Sequence, residues 1–478
     1  MRKYFSDKMN KSYLLSITLI ATLGGLLFGY DTAVISGTVG SLESFFIDSR
    51  NLNELAANSL LGFVISSALI GCIIGGIIAG YVSNLFGRKK SLVFSAILFL
   101  ISAIGSAFPE IGFSSIGGMG HEVLTQFIIY RIIGGIGVGM ASMLSPLYIA
   151  EIAPAESRGK LVSFNQFAII FGMLIVYFVN YTIALQGDIA WLNDIGWRWM
   201  FASEIIPASI FLLFLNMIPE TPRWLMLNNQ EDKALSVLNK LNGSERAKII
   251  FKEIKESFGH HPSGKLFSFG ILIIFIGIML SVFQQFVGIN VVLYYAPEIF
   301  KNMGATNDSA LLQTIIVGVV NLTFTVVAIL SVDKFGRRPL QIIGALVMSV
   351  AMISLGFMFY FDSLGISALF SMLLYIAGFA VSWGPVTWVL LSEIFPNKIR
   401  SKAMAIAVAA QWIANYLVSW TFPMMNKSSF LTDTFNHGFA YWIYGIMGIV
   451  AALLVWKLVP ETKGKSLEEL ENLWTDKA

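Results

Sequence analysis

The chain alternates between long apolar runs and short polar breaks, and that rhythm predicts its architecture. A helix needs about 20 apolar residues to cross the hydrocarbon core of a bilayer. Runs of this kind fall at 12–37, 57–83, 91–108, 123–148, 161–184, 198–218, 266–295, 310–332, 339–361, 364–391, 402–424 and 437–458. One long polar stretch, 221–265, divides the series. Its part 229–257 has helical periodicity and carries Glu231, Asp232, Lys233, Lys240, Glu253 and Lys255, a pattern of short amphipathic helices. The expected organisation is a six-helix bundle over 1–220, a helical linker over 221–265, a second six-helix bundle over 266–460 and a tail over 461–478. In the tail, Ser466 ahead of Glu468 and Glu469 has the look of a capping box opening a short surface helix.

Composition sharpens this into a class. Hydrophobic residues make up 56% of the chain and charged residues 13%, against about 25% charged in a typical soluble domain. Too little polar surface is available to cover a core of this size in water, whereas lipid accepts apolar side chains all round a helix. The expected class is an all-α membrane protein. Its basic N-terminus leads into an apolar run that contains Asp31 and ends without a small-residue cleavage pattern, so that run reads as a retained span rather than a removed signal.

Charge distribution sets the orientation. Arg88, Lys89, Lys90, Arg158, Lys160, Lys334, Arg337, Arg338, Lys398, Arg400 and Lys402 fall on one side of the predicted spans. The other side holds Arg50, Lys301 and Lys427, with Arg198 at a helix edge. The positive-inside bias places both termini in the cytoplasm. The basic residues form short clusters rather than one face, which argues against nucleic-acid binding. A single cysteine, Cys72, excludes an internal disulfide and a cysteine metal site, and the four histidines fall in or beside loops. No metal cluster, cofactor motif, catalytic nucleophile or nucleotide loop is present, so neither an enzyme nor a cofactor protein is expected.

The two halves repeat one another. Gly80-Tyr-Val-Ser-Asn-Leu-Phe-Gly-Arg88 is answered by Asp333-Lys-Phe-Gly-Arg337, each after the second span of its half. Glu151-Ile-Ala-Pro with Arg158 is answered by Glu393-Ile-Phe-Pro with Arg400. Pro219-Glu220-Thr221 closes the first half and Pro460-Glu461-Thr462 the second. A duplicated six-helix unit points to a transporter with its substrate site near the midplane between the repeats.

Ionisable groups inside spans are costly and usually functional. Asp31, Arg131 and Glu204 are the three candidates. A guanidinium beside a carboxylate favours its ionised form, and burial away from that partner favours the protonated form. A movement that changes the pairing of Asp31 with Arg131 therefore changes proton binding. Glu204 is either a second proton-linked group or a plain partner for Arg131. The spans also carry many amides, each offering an acceptor and two donors suited to hydroxyl groups. These are Gln166, Gln284, Gln285, Asn290, Asn321, Gln411 and Asn415, with Trp388 and Trp412 among them. Gly288-Ile-Asn290 and Gly384-Pro385 would loosen the seventh and tenth spans, at matching places in the two halves.

These motifs, together with Pro-Glu-Thr-Pro-Arg-Trp after the sixth span, Gln-Gln-Phe-Val-Gly-Ile-Asn in the seventh and Pro-Glu-Thr-Lys-Gly after the twelfth, resemble the sugar porter family of the major facilitator superfamily. The match covers essentially the whole chain. It implies the major facilitator fold, with 12 transmembrane helices in two bundles, in an inner membrane. It further implies proton-coupled symport of a monosaccharide, D-xylose being favoured by stretches 159–172 and 281–297. The partners implied are the sugar, a proton and the bilayer, and the chain is expected to act as a monomer. Facilitative uniport and hexose symport remain open, since Met173 stands where xylose-carrying members have a glutamine.

By resemblance Asp31 is the proton site, and Gln166, Gln284, Gln285, Asn290, Trp388 and Gln411 are sugar contacts, with Tyr294 and Trp412 close by and Asn321 in the eighth span. The resemblance also implies an ion-pair latch of Arg88, Glu151, Arg158, Asp333, Arg337, Glu393 and Arg400 that holds the outward-facing state. The first-half loop departs from the family pattern, with Asn84 and Leu85 where an acidic and a basic residue are common.

Overall fold

The computed structural model describes residues 10–154, 157–257, 266–396 and 399–463, with the side chains of 333 and 401 also outside the description. Among the described residues it is helical throughout and holds 12 helices long and apolar enough to cross a membrane. They are Lys11–Gly37, Glu54–Phe86, Arg88–Ala107, Gly120–Ile152, Arg158–Ala184 and Ile189–Met217 in the first half. In the second half they are Ile271–Tyr294, Asn307–Val332, Arg337–Tyr360, Ile366–Ile394, Lys402–Asn426 and Phe439–Leu458. The expected tail helix falls outside the described residues.

Eleven of the predicted runs match to within a few residues. The sixth span instead starts at Ile189, nine residues before the predicted 198, because a helical turn and a π-helical segment, Leu192–Gly196, precede its apolar part. That lead-in holds Asn193 and Asp194, which hide it from a search for apolar runs. Three short helices outside the spans, Val39–Phe46, Ala296–Asn302 and Ser429–Phe435, are further additions. The linker folds as Pro222–Leu227, Glu231–Asn242 and Ser244–Ser257. It buries Leu225, Met226 and Ala234 together, and Leu241 accepts a backbone bond from Asn10 at 3.0 Å.

Three spans are broken where function is expected. In the seventh, Gly288 has φ +91°, a left-handed conformation that favours glycine, between segments Ile271–Phe286 and Ile289–Tyr294. The tenth breaks at Ser382, slightly before the expected Gly384-Pro385, and resumes as Trp383–Ile394. Proline lacks only an N–H that the first turn of a helix leaves unused, so Pro385 sits inside the new segment without cost. The sixth breaks at Ser203 and Glu204, between Trp197–Ala202 and Ile205–Phe214.

All the hydrogen bonds found between the halves among the described residues lie at the end away from the linker. Tyr177 donates to the Leu293 carbonyl at 3.1 Å, Trp420 Nε1 to the Ser59 carbonyl at 3.1 Å, and Ser429 N to Glu54 at 2.6 Å. Lys427 pairs with Glu43 there as well.

Candidate functional site

The first and fourth spans bring together the two expected charges. Arg131 Nη1 donates to Asp31 Oδ1 at 2.8 Å, and Nη2 reaches the Asp31 backbone carbonyl at 3.4 Å. Asp31 is 0% exposed and Arg131 1%, which removes any reading of Asp31 as a water-washed helix end. The Phe201 ring lies 5.2 Å from the guanidinium carbon. Gly134 lets the third span pack close beside the pair, since a Cβ there would collide with Ser102 Oγ. Glu204 is also 0% exposed and sits within electrostatic reach of both charges. Its two carboxylate oxygens, Asp31 Oδ2 and Arg131 Nε all lack hydrogen-bond partners. Next to Glu204, the Ser203 hydroxyl meets Tyr30 Oη at 2.7 Å, tying the break in the sixth span to the residue before Asp31.

The polar side chains of the second half form a cluster around the broken seventh span. Asn290 Nδ2 donates to Gln285 Oε1 at 2.6 Å across the Gly288 break. Gln284 turns the other way. Its Nε2 donates to the Trp383 and Gly384 carbonyls, at the start of the second segment of the tenth span, at 2.7 and 3.3 Å. Gln284 is therefore a brace between spans, although its Oε1 is buried without a partner. Asn415 Nδ2 reaches Tyr294 Oη at 3.5 Å, and its Oδ1 accepts from Ser419 at 3.1 Å. Trp412 lies 5.7 Å, ring to ring, from Phe28 of the first span, so this aromatic contact crosses between the halves.

Gln166, Asn321 and Trp388 make no hydrogen bond among the described residues, and Gln411 Oε1 is buried without a partner. Gln166, Trp388 and Gln411 are half-buried and Asn321 is buried. A buried and unpaired oxygen such as that of Gln411 is an exception, because buried polar atoms are otherwise paired. Met173, buried beside Gly29, brings no polar group to the set.

Four of the expected latch residues form two ion pairs, one in each half. Arg88 donates to Glu151 at 2.9 and 3.2 Å, and Arg337 to Glu393 at 2.8 and 3.1 Å. Arg158 and Arg400 open the next helices and do not form these pairs. Arg158 is exposed, and Arg400 Nε donates to the Phe395 carbonyl at 3.1 Å. The side chain of Asp333 lies outside the description. Asn84, at the departure from the family pattern, offers Oδ1 to Arg88 at 3.5 Å and its carbonyl to Trp224 Nε1 at 2.9 Å.

The repeated Pro-Glu-Thr motifs supply what the sequence reading left without a role. Glu220 accepts from the backbone N–H groups of Arg88 and Lys89 at 2.9 and 3.1 Å, and Glu461 from those of Arg337 and Arg338 at 3.1 and 3.0 Å. Each carboxylate satisfies the orphan donors at the start of a span. Burial nonetheless pushes the Glu220 carboxyl above its ordinary value, despite these backbone bonds. Thr221 then donates to Glu151 at 2.6 Å, and Thr462 to Glu393. The repetition of the motif at the close of each half was the signal that could have found them.

A model of the family described as sugar (and other) transporter matches residues 17–474. Over 477 residues the chain is 65% identical to the D-xylose-proton symporter of Escherichia coli (strain K12), covering 98% of this chain and 97% of that one. It is 44% identical over 472 residues to the glucose facilitated diffusion protein of Zymomonas mobilis, covering 98% and 99%. Among solved structures, the inward open conformation of the xylose transporter XylE from E. coli superposes with a TM-score of 0.88 at 63% identity, over 97% of this chain and 100% of that one. The same transporter bound to 6-bromo-6-deoxy-D-glucose gives 0.85 at 65% identity, with the same coverage.

Proposed function

The chain belongs to the sugar transporter family, and from that premise we propose that it carries D-xylose together with a proton by alternating access. The observation that carries the reading is the buried Arg131–Asp31 pair with Glu204 beside it and four polar atoms of the three side chains unpartnered. Ionisable groups so placed are costly and usually serve function. When Arg131 holds Asp31 the carboxylate keeps its charge, and a movement that separates them lets Asp31 or Glu204 take the proton. Symport follows if the sugar favours one arrangement of that pair.

The bundles 1–220 and 266–460 are the moving units, with the linker 221–265 and the tail at the cytoplasmic end of an inner-membrane protein. The halves are fastened at the end away from the linker, so the state described is inward-facing. In it the ion pairs Arg88–Glu151 and Arg337–Glu393 stay within their halves, ready to bridge when the cytoplasmic end closes. Gln166, Gln285, Asn290, Asn321, Trp388 and Gln411 meet the sugar hydroxyls and ring, with Tyr294 and Trp412 behind them and Gln284 bracing from the side. The chain acts as a carrier rather than an enzyme, and one copy contains the whole site.

Uptake of a labelled sugar panel into cells or vesicles tests this, with and without a protonophore. Accumulation of xylose should collapse when the proton gradient is removed. Accumulation that persists would replace symport with another coupling, and equilibration alone in both arms would make the chain a uniporter. Glucose outcompeting xylose would move the substrate to a hexose. Gln285→Ala and Trp388→Ala should each weaken xylose binding in detergent by roughly tenfold or more, the effect of losing one well-placed contact.

A further inference from the structure

Behind the sugar-facing side chains of the second half, three spans share a run of buried hydrogen bonds. Gln341, on the ninth span, is 0% exposed. Its Nε2 donates to Thr387 Oγ1 at 2.9 Å, and its backbone carbonyl accepts from Trp383 Nε1 at 2.9 Å. Thr387 Oγ1 in turn donates to the Trp383 carbonyl at 2.8 Å. That same carbonyl accepts the 2.7 Å bond from Gln284 of the seventh span. Thr387 and Trp383 are both fully buried, and Thr387 immediately precedes Trp388.

The geometry makes two rungs of one ladder. Arg337 and Gln341 are four residues apart on one helix and so share a face. The tenth span runs antiparallel to the ninth, and Arg337 grips it at Glu393 while Gln341 grips it at Trp383 and Thr387. The segment Trp383–Ile394 is thereby fixed at both ends to the ninth span, although the break at Ser382 disconnects it from the rest of its own helix. Without the Gln341 side chain that end keeps the Trp383 Nε1 bond to the ninth-span backbone and the Gln284 bond but loses its tie at Thr387, and the segment gains freedom to pivot about Glu393.

We propose that Gln341 is a positioning residue for the sugar site, holding the inner segment of the tenth span to the ninth so that Trp388 and the carbonyl that anchors Gln284 keep their places. Gln341 touches no sugar and acts through Thr387 and Trp383. This rests on the sugar-site reading above. It also means that movement of the ninth span at the Arg337 latch reaches the sugar site as a rigid displacement.

The test compares Gln341→Leu and Thr387→Val, singly and together, with the wild type. Xylose Kd in detergent should rise roughly tenfold in each single variant and no further in the double, since both cut one route. In counterflow the KM should rise while the maximal rate is kept. Spin labels at Ile343→Cys and Ser392→Cys, in a background with Cys72 replaced, read the ninth-to-tenth distance without sugar. Gln341→Leu should broaden that distribution. A wild-type distribution in Gln341→Leu overturns the proposal, as does a wild-type Kd there with only a lower melting temperature, which would leave a packing role. Should the wild type bind no monosaccharide, the sugar reading falls, and the spin-label distance still decides whether Gln341 fixes the segment.

Discussion

In the first half two arginines are buried against carboxylates, Arg198 against Glu110 and Arg131 against Asp31, and the two pairs are finished to different degrees. Arg198 makes a bidentate fork to Glu110 at 2.6 and 2.8 Å and adds the Ala107 carbonyl at 3.2 Å. The Trp197 and Phe45 rings lie 4.6 and 5.4 Å from its guanidinium carbon, and Glu110 also accepts from Gly117 at 3.2 Å. Arg131 makes one short bond to Asp31, leaving Oδ2 and its own Nε without partners and the Glu204 oxygens unfilled nearby. A pair held by a bidentate fork, with both carboxylate oxygens engaged, has one arrangement and works as a staple. A pair with spare acceptors has several arrangements of similar energy and can act as a switch. Completeness of pairing, rather than burial, separates the stapling arginine from the one proposed to switch.

The largest effect should come from breaking the staple. Arg198→Met strands Glu110 in a dry site and should destabilise the sugar-free protein by about 3–5 kcal/mol, seen as lost folded yield and an early melting transition. Adding Glu110→Gln should recover much of that loss. A double variant as unstable as the single would mean that the pair does more than satisfy itself. Asp31→Asn should leave melting within about 1 kcal/mol of wild type, because Asn keeps an acceptor for Arg131 Nη1 and the Glu204 carboxylate stays within electrostatic reach of the guanidinium, while sugar-driven alkalinisation of the medium disappears and counterflow survives. Loss of folding in Asp31→Asn would erase the distinction between the two pairs.

A subtler contrast is in pH. Burial works to raise the Glu110 carboxyl, and the Arg198 fork with the backbone bonds outweighs it, so the group sits below its ordinary value of 4.5. Its stabilisation is then present above the unfolded-state value and fades as pH falls through the lower folded one. The melting-temperature gap between wild type and Glu110→Gln should be constant at neutral pH and narrow below about pH 4.5. A gap independent of pH would show that packing alone accounts for the staple. The smallest effect belongs to the threonines of the repeated motifs. Thr221→Val and Thr462→Val each remove a hydroxyl bond to a latch glutamate and should cost about 1 kcal/mol, and equal costs would confirm that the two halves use the motif alike.

The spans were legible because lipid demands length and apolarity together, and the chain offers few other places to satisfy both. Asp31 and Arg131 stood out because a charge inside such a run has no cheap explanation. Arg198 did not, since it flanks a predicted span and Glu110 sits in a loop, and only the folded chain shows that they meet. Gln284 illustrates another limit, because composition marks an amide as able to bind sugar but not which way it turns. The motifs name the latch residues but not which of them meet. The structure pairs Glu151 with Arg88 and Glu393 with Arg337, on the spans that the Pro-Glu-Thr motifs cap, a geometry set by tertiary packing.

Gly288 has a bearing on inheritance. A side chain there would meet the Tyr444 ring at 2.7 Å on a backbone that only glycine accepts readily. No amino-acid replacement there is expected to be neutral, although the position brings no polar group to the site. A survey of viable variants would score it beside the coupling charges, and a geneticist without coordinates would mistake a bend for a binding residue.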